Sequence, residues 1–129
     1  MSKTKLTYAH QDGVALLTLD NPPLNLLTLD MTGELNALIP RLAEDRAVRA
    51  VVLTGSGERV FCAGSDVKEF PQVADAVVRK KLALENEAYT RIAEFPKPTI
   101  AALNGLAFGG GLELAQPPRV RPRCRKSQP

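Results

Sequence analysis

The sequence predicts an α/β domain, and three observations predict it. Short apolar runs rich in β-branched residues alternate with stretches of helical periodicity, in the order β-β-α-β-α-β-α between Leu6 and Ala115. Glycine and proline punctuate nearly every junction, as at Asp12-Gly13, Pro22-Pro23, Pro96 and Gly109-Gly110-Gly111. The 129 residues, 44% of them hydrophobic, are enough for a single core.

The elements follow in order. Leu6 to His10 and Val14 to Leu19 read as strands, and the Asp12-Gly13 step between them is a hairpin signal. Asn21-Pro22-Pro23 then breaks the ladder, because two prolines have no N–H to donate. Thr28 is placed to cap a helix running to about Ala43, with Asp30 favoured in its first turn. Met31, Leu35, Leu38 and Leu42 form its apolar stripe, whose role is core packing. Pro40 falls inside this pattern and predicts a kink, or an end near Ile39. Ala50 to Gly55 is a nearly continuous apolar run, the pattern of a buried strand, and a glycine-bearing loop from Ser56 to Gly64 follows it. A second helix is expected over Ala74 to Glu94, then a strand over Thr99 to Leu103. These elements alone are compatible with a doubly wound sheet.

Two loops carry the chemical signal. Gly109-Gly110-Gly111 runs straight into Leu112-Glu113-Leu114-Ala115, and the upstream loop reads Phe61-Cys62-Ala63-Gly64-Ser65-Asp66. A glycine at a loop-to-helix junction lets the backbone approach a ligand closely, and a helix start offers unpaired N–H groups. Two such loops can aim amides at one substrate oxygen, which is how an oxyanion is held. A helix beginning near Gly110 would put Glu113 one turn further on, beside that amide.

Asn21-Pro22-Pro23-Leu24-Asn25, the run from Phe61 to Phe70, and the run from Phe95 through Ala115 together resemble the crotonase superfamily, the enoyl-CoA hydratases and isomerases. The three blocks stand in the family's order and cover residues 1 to 115. The resemblance implies a crotonase-like spiral of β-β-α units, of which this chain would hold the N-terminal part only. It implies that the thioester carbonyl of an acyl-CoA becomes enolate-like while the amides of Ser65 and Gly110 hold its oxygen. Amides supply the donors, so a serine in place of the alanine common in hydratases is tolerated, and the Ser65 hydroxyl reads as incidental. Glu113 matches one of the two glutamates with which hydratases activate water, provided burial raises its pKa toward working pH. Pro23, Leu24 and Leu26, with Ala63, Ser65, Asp66 and Val67, match the segments that contact coenzyme A, although Asp66 suits helix capping better. Coenzyme A is part of the substrate, and no separate cofactor or metal is expected. The implied activity is hydration of a 2-enoyl-CoA. An isomerase or other enolate-type enzyme is the first alternative, and a non-catalytic CoA-binding fragment the second. Homotrimers or hexamers are implied for an intact parent.

Residues 116–129 depart from this pattern. They hold five of the 17 Lys/Arg and no acid, leaving 12 bases against 14 acids upstream, so the net charge of +3 belongs to this segment. With four prolines and no apolar periodicity it is expected to be disordered, or an out-of-frame ending, and non-specific phosphate contact is the lesser reading. The family's second glutamate would lie beyond Ala115, so impaired hydration is expected. Surface lysines Lys3, Lys5 and Lys68 are too ordinary to assign to CoA phosphates. Cys62 and Cys124 lack metal-ligand spacing, Cys62 is expected to pack, and the single histidine, His10, is expected on the surface. No apolar run reaches spanning length and no signal-peptide stretch follows Met1, so a cytoplasmic location is expected.

Overall fold

The computed structural model describes residues 5–73, 76 and 78–115. The chain enters through a hairpin of β1 (Leu6–Gln11) and β2 (Val14–Leu19), in register from Leu6 opposite Leu19 to Gln11 opposite Val14. Asp12 and Gly13 both take positive φ, 53° and 83°, as a two-residue turn matched to strand twist requires. β3 (Ala50–Gly55) pairs parallel to β2, and β5 (Thr99–Ala101) parallel to β3, so the main sheet has the order β1-β2-β3-β5. Alternation along β2 and β3 turns Ala15, Leu17, Leu19, Val51 and Leu53 into the core. Val14 and Leu16, on the opposite face of β2, stay exposed.

A second, smaller sheet pairs β4 (Val60–Cys62) with β6 (Leu106–Ala107), also in parallel. Leu27 makes an isolated parallel bridge to Ser65 alongside it. The repeat is therefore visible three times. A strand of the main sheet (β2, β3, β5) is followed by a segment in the second layer (Leu27, β4, β6), and then by a helix. This is the β-β-α spiral, and its parallel pairings follow from each crossover carrying the chain back to the same end of the sheet.

The first of these helices, α1 (Leu29–Glu44), is capped as expected, Thr28 Oγ1 accepting from the Met31 amide at 3.1 Å. Its buried face is Met31, Thr32, Leu35, Ile39 and Leu42, with Leu38 only partly covered. The helix does not stop at Pro40 but continues to Glu44. Burial of Ile39 and Leu42 on either side of the proline, and Lys97 Nζ donating to the Leu42 and Asp45 carbonyls at 2.9 and 2.7 Å, hold the last turn despite the missing N–H.

The expected helix over 74–94 begins differently. Asp66 caps a 3₁₀ turn over Val67–Glu69, followed by the single turn α2 (Phe70–Val73). A π-helical turn over Val78–Leu82 then runs into α3 (Ala83–Ala93), while Ala74 and Asp75 fall outside the described residues. The expected loop over 56–64 contains β4, and the strand expected over 99–103 ends at Ala101, although the Ala102 amide still bonds the Leu53 carbonyl at 2.8 Å. The last described helix is α4 (Gly110–Ala115), beginning at the expected glycine. The tail, 116–129, lies outside the described residues.

Candidate active site

Two loops separated by more than forty residues meet at backbone level. Gly64 has φ +109°, and a Cβ built on it would lie 3.3 Å from the Phe108 carbonyl oxygen and 3.5 Å from the Gly110 nitrogen. Only glycine offers both that backbone region and that clearance. Behind the contact, the Phe108 amide donates to the Cys62 carbonyl at 3.0 Å, and a Cβ on Gly111 would collide with that same carbonyl. α4 is thus seated directly on the end of β4.

The hydrogen bonding leaves the two expected donors unspent. The Leu27 amide donates to the Gly64 carbonyl at 2.8 Å and the Asp66 amide to the Leu27 carbonyl at 2.9 Å. Ser65, between them, turns its own N–H out of this ladder, while Gly110, at the first position of α4, has no preceding helical carbonyl. Among the described residues neither amide has a protein acceptor. Leu27 itself runs beside the Ser65 loop, and the Ala63 amide donates to the Leu24 carbonyl at 3.0 Å. The expected contact segments 23–26 and 63–67 are therefore neighbours. Asn25, fully buried, fastens the first of them by donating from Nδ2 to the Ser56 and Val60 carbonyls at 3.1 and 2.8 Å. Leu24, Val67 and Phe108, on the segments that carry or flank these amides, stand exposed at 45%, 64% and 56%.

Three residues differ from expectation or sharpen it. Glu113 sits on the first turn of α4 near Gly110, but it is exposed, so the described residues do not supply the expected burial. The Ser65 hydroxyl is not incidental: it donates to Glu85 Oε2 at 2.6 Å. Asp66 is the cap of the 3₁₀ turn, Oδ1 accepting from the Lys68 amide at 3.0 Å.

Beneath the Ser65 loop lies a charged cluster that sequence reading missed. Lys81, 1% exposed, places Nζ 2.7 Å from Glu69 Oε1 and 3.3 Å from Glu85 Oε2, and donates to the Leu27 carbonyl at 3.0 Å. Glu69 Oε1 also accepts from the Leu29 amide at 2.9 Å, at the start of α1. The signal was present as helical spacing: Lys81, Glu85, Ala88 and Ile92 share one buried face, so two ionisable residues occupy core positions. Tyr89 joins the cluster. Burial, then the negative charges of Glu85 and Glu113, push its phenol well above the usual tyrosine range, and its hydroxyl occupies the space where a Gly110 Cβ would stand. Burial likewise pushes the Cys62 thiol up to about 11, so it is a packing residue rather than a nucleophile. His10 is exposed and bonds the Ala47 carbonyl at 3.0 Å, at the far end of the hairpin.

Residues 9–117 match the family model described as enoyl-CoA hydratase/isomerase. The chain belongs to this enzyme family. It is 41% identical over 109 residues to a probable enoyl-CoA hydratase of Bacillus subtilis, covering 84% of this chain and 42% of the relative. The short-chain-enoyl-CoA hydratase of Clostridium acetobutylicum is 39% identical over 109 residues, 84% of this chain and 42% of its own. Among solved structures, Pseudomonas aeruginosa DspI superposes with a TM-score of 0.90 at 35% identity, over 97% of this chain and 51% of that one. An enoyl-CoA hydratase from Bacillus anthracis gives 0.87 at 31% identity, over 93% and 47%. The chain thus spans about half the length of the relatives it matches.

Proposed function

We propose that this chain binds a 2-enoyl-CoA with its thioester oxygen between the amides of Ser65 and Gly110. The observation that supports this reading is the close approach of Gly64 to Phe108 and Gly110, together with the lack of a protein acceptor for the Ser65 and Gly110 amides among the described residues. In hydration, a water oxygen bonds to C3, the C2–C3 π pair shifts toward C2 and the carbonyl pair moves onto oxygen, giving an enolate. C2 then takes a proton and the carbonyl re-forms. Glu113, on the first turn of α4, is the group assigned to move protons between water and the substrate carbons. The exposed side chains of Leu24, Val67 and Phe108 suit the apolar part of an acyl thioester.

A second reading, proton transfer without water addition, is favoured by a specific observation. Glu113 is exposed on the first turn of α4, whereas Glu85 is buried and ion-paired and Asp66 is engaged in capping the 3₁₀ turn. One carboxylate is enough to remove a C2 proton and return it to C2, as an enolate-forming enzyme requires, or to C4 of a 3-enoyl thioester, as an isomerase requires. Incubation with butyryl-CoA in D₂O tests what both readings share, since deuterium enters C2 only through an enolate. Incubation with crotonyl-CoA and with 3-butenoyl-CoA separates them: 3-hydroxybutyryl-CoA from crotonyl-CoA is expected for hydration, and conversion of 3-butenoyl-CoA to crotonyl-CoA without water addition for the second reading. Neither product, with CoA still bound, would favour a non-catalytic binder.

A further inference from the structure

Ser65 gives the site an amide, but its side chain faces the opposite way, into the protein. There its hydroxyl meets Glu85 Oε2 at 2.6 Å, a short bond to a charged acceptor that is only 4% exposed. Glu85 sits on α3, and its charge is balanced by Lys81 at 3.3 Å, which also grips the Leu27 carbonyl. One turn further along α3, Tyr89 is buried with its hydroxyl against the backbone of Gly110. A single helix therefore touches both loops whose amides define the site, one through Glu85 and the other through Tyr89. A buried carboxylate is costly unless every contact is kept, so such a cluster resists displacement of the groups it holds.

We propose that Glu85 is a positioning residue: through the Ser65 hydroxyl it fixes the direction of the Ser65 amide, with Lys81 supplying the balancing charge and Tyr89 bracing Gly110. This rests on the oxyanion reading given above. It makes serine at position 65 consequential in this chain, because Ser65 and Glu85 act through one bond. Replacing the serine by alanine leaves Glu85 Oε2 without its hydroxyl donor.

The test uses the full chain and the absorption band of bound hexa-2,4-dienoyl-CoA, which moves to the red when the thioester carbonyl is polarised. Unmodified protein is expected to shift the band; absence of any shift while the ligand is bound would sink the oxyanion reading itself. Given that shift, Ser65→Ala and Glu85→Ala are each expected to reduce it by at least half and to slow C2 exchange about tenfold, with the dissociation constant changed less than threefold. The double variant is expected to be no worse than either single one, as for two residues acting through a shared bond. Glu85→Gln, which keeps an acceptor for the hydroxyl, should recover most of the shift. Multiplying effects in the double variant, or a full shift in Ser65→Ala, would overturn the proposal. If the Glu85 variants lose their fold, Ser65→Ala alone decides, because it removes only a hydroxyl.

Discussion

At the scale of single residues, the site depends on groups whose roles can be separated. Glu113→Gln keeps shape and removes basicity, so C2 exchange is expected to fall by roughly 10²- to 10⁴-fold with dienoyl-CoA binding retained. Mass spectrometry of the recovered thioester checks this. Cys62 gives a pH prediction. Its folded pKa, up to about 11, lies above the ordinary thiol value, so the unfolded chain gives up the proton first as pH rises. The stability it contributes is complete below pH 9 and is lost between about 9 and 11, an effect on the order of 2 kcal/mol. Urea titrations across that range should show the decline, and a Cys62→Ala protein should show less of it. The two loops that meet here, carrying Ser65, Gly110 and Glu113, were legible in the sequence because glycines and a family pattern mark them. The Ser65 hydroxyl's partner was not. Glu85 lies twenty residues away on a helix whose beginning the pattern misplaced, and the helical spacing it shares with Lys81, Ala88 and Ile92 does not by itself say that this face is the buried one.

At the scale of elements, α1 offers two substitutions of opposite sign. Thr28→Ala removes the acceptor for the Met31 amide and is expected to cost about 1 kcal/mol. Gly33 lies on the exposed side of the same helix, with nothing within 4 Å of an added Cβ. Gly33→Ala is expected to stabilise by about 0.5–1 kcal/mol, since alanine has the higher helix propensity. Thermal melts of the two variants check both signs. The cap and the apolar stripe were readable because they are local. The continuation past Pro40 was not, because it depends on Ile39 and Leu42 being buried and on Lys97, more than fifty residues away, holding the last carbonyls. β4 and β6 were missed for a similar reason. At three and two residues they carry no periodicity of their own and exist through pairing with each other.

At the scale of the whole molecule, the spiral brings sequence-distant loops together by repeating one step. Each turn's second-layer segment lies beside that of a neighbouring turn, so Leu27 meets Ser65 and Cys62 meets the start of α4. The class α/β followed from the order of strands and helices, but the choice of spiral over a doubly wound sheet needed the family resemblance, since local pattern does not say which layer a short strand joins. α4 is seated on β4 through a close backbone approach at Gly111. Gly111→Ala would drive a methyl group into the Cys62 carbonyl, and it is expected to unseat α4 and abolish the dienoyl-CoA shift while far-ultraviolet dichroism keeps most of its amplitude.

The central claim, that the Gly110 amide polarises a bound thioester, has a direct measurement. Gly110 is the first residue of α4, a position that tolerates proline, so Gly110→Pro deletes the N–H and can keep the helix. Because a Cβ there would collide with the Tyr89 hydroxyl, the comparison is made in a Tyr89→Phe background, with Gly110→Ala as the partner that restores the amide. The red shift of bound hexa-2,4-dienoyl-CoA is expected to persist with alanine and to collapse with proline, accompanied by a fall in C2 exchange of about 10²- to 10³-fold. Equal shifts in the two proteins, with the ligand bound in both, would contradict the account.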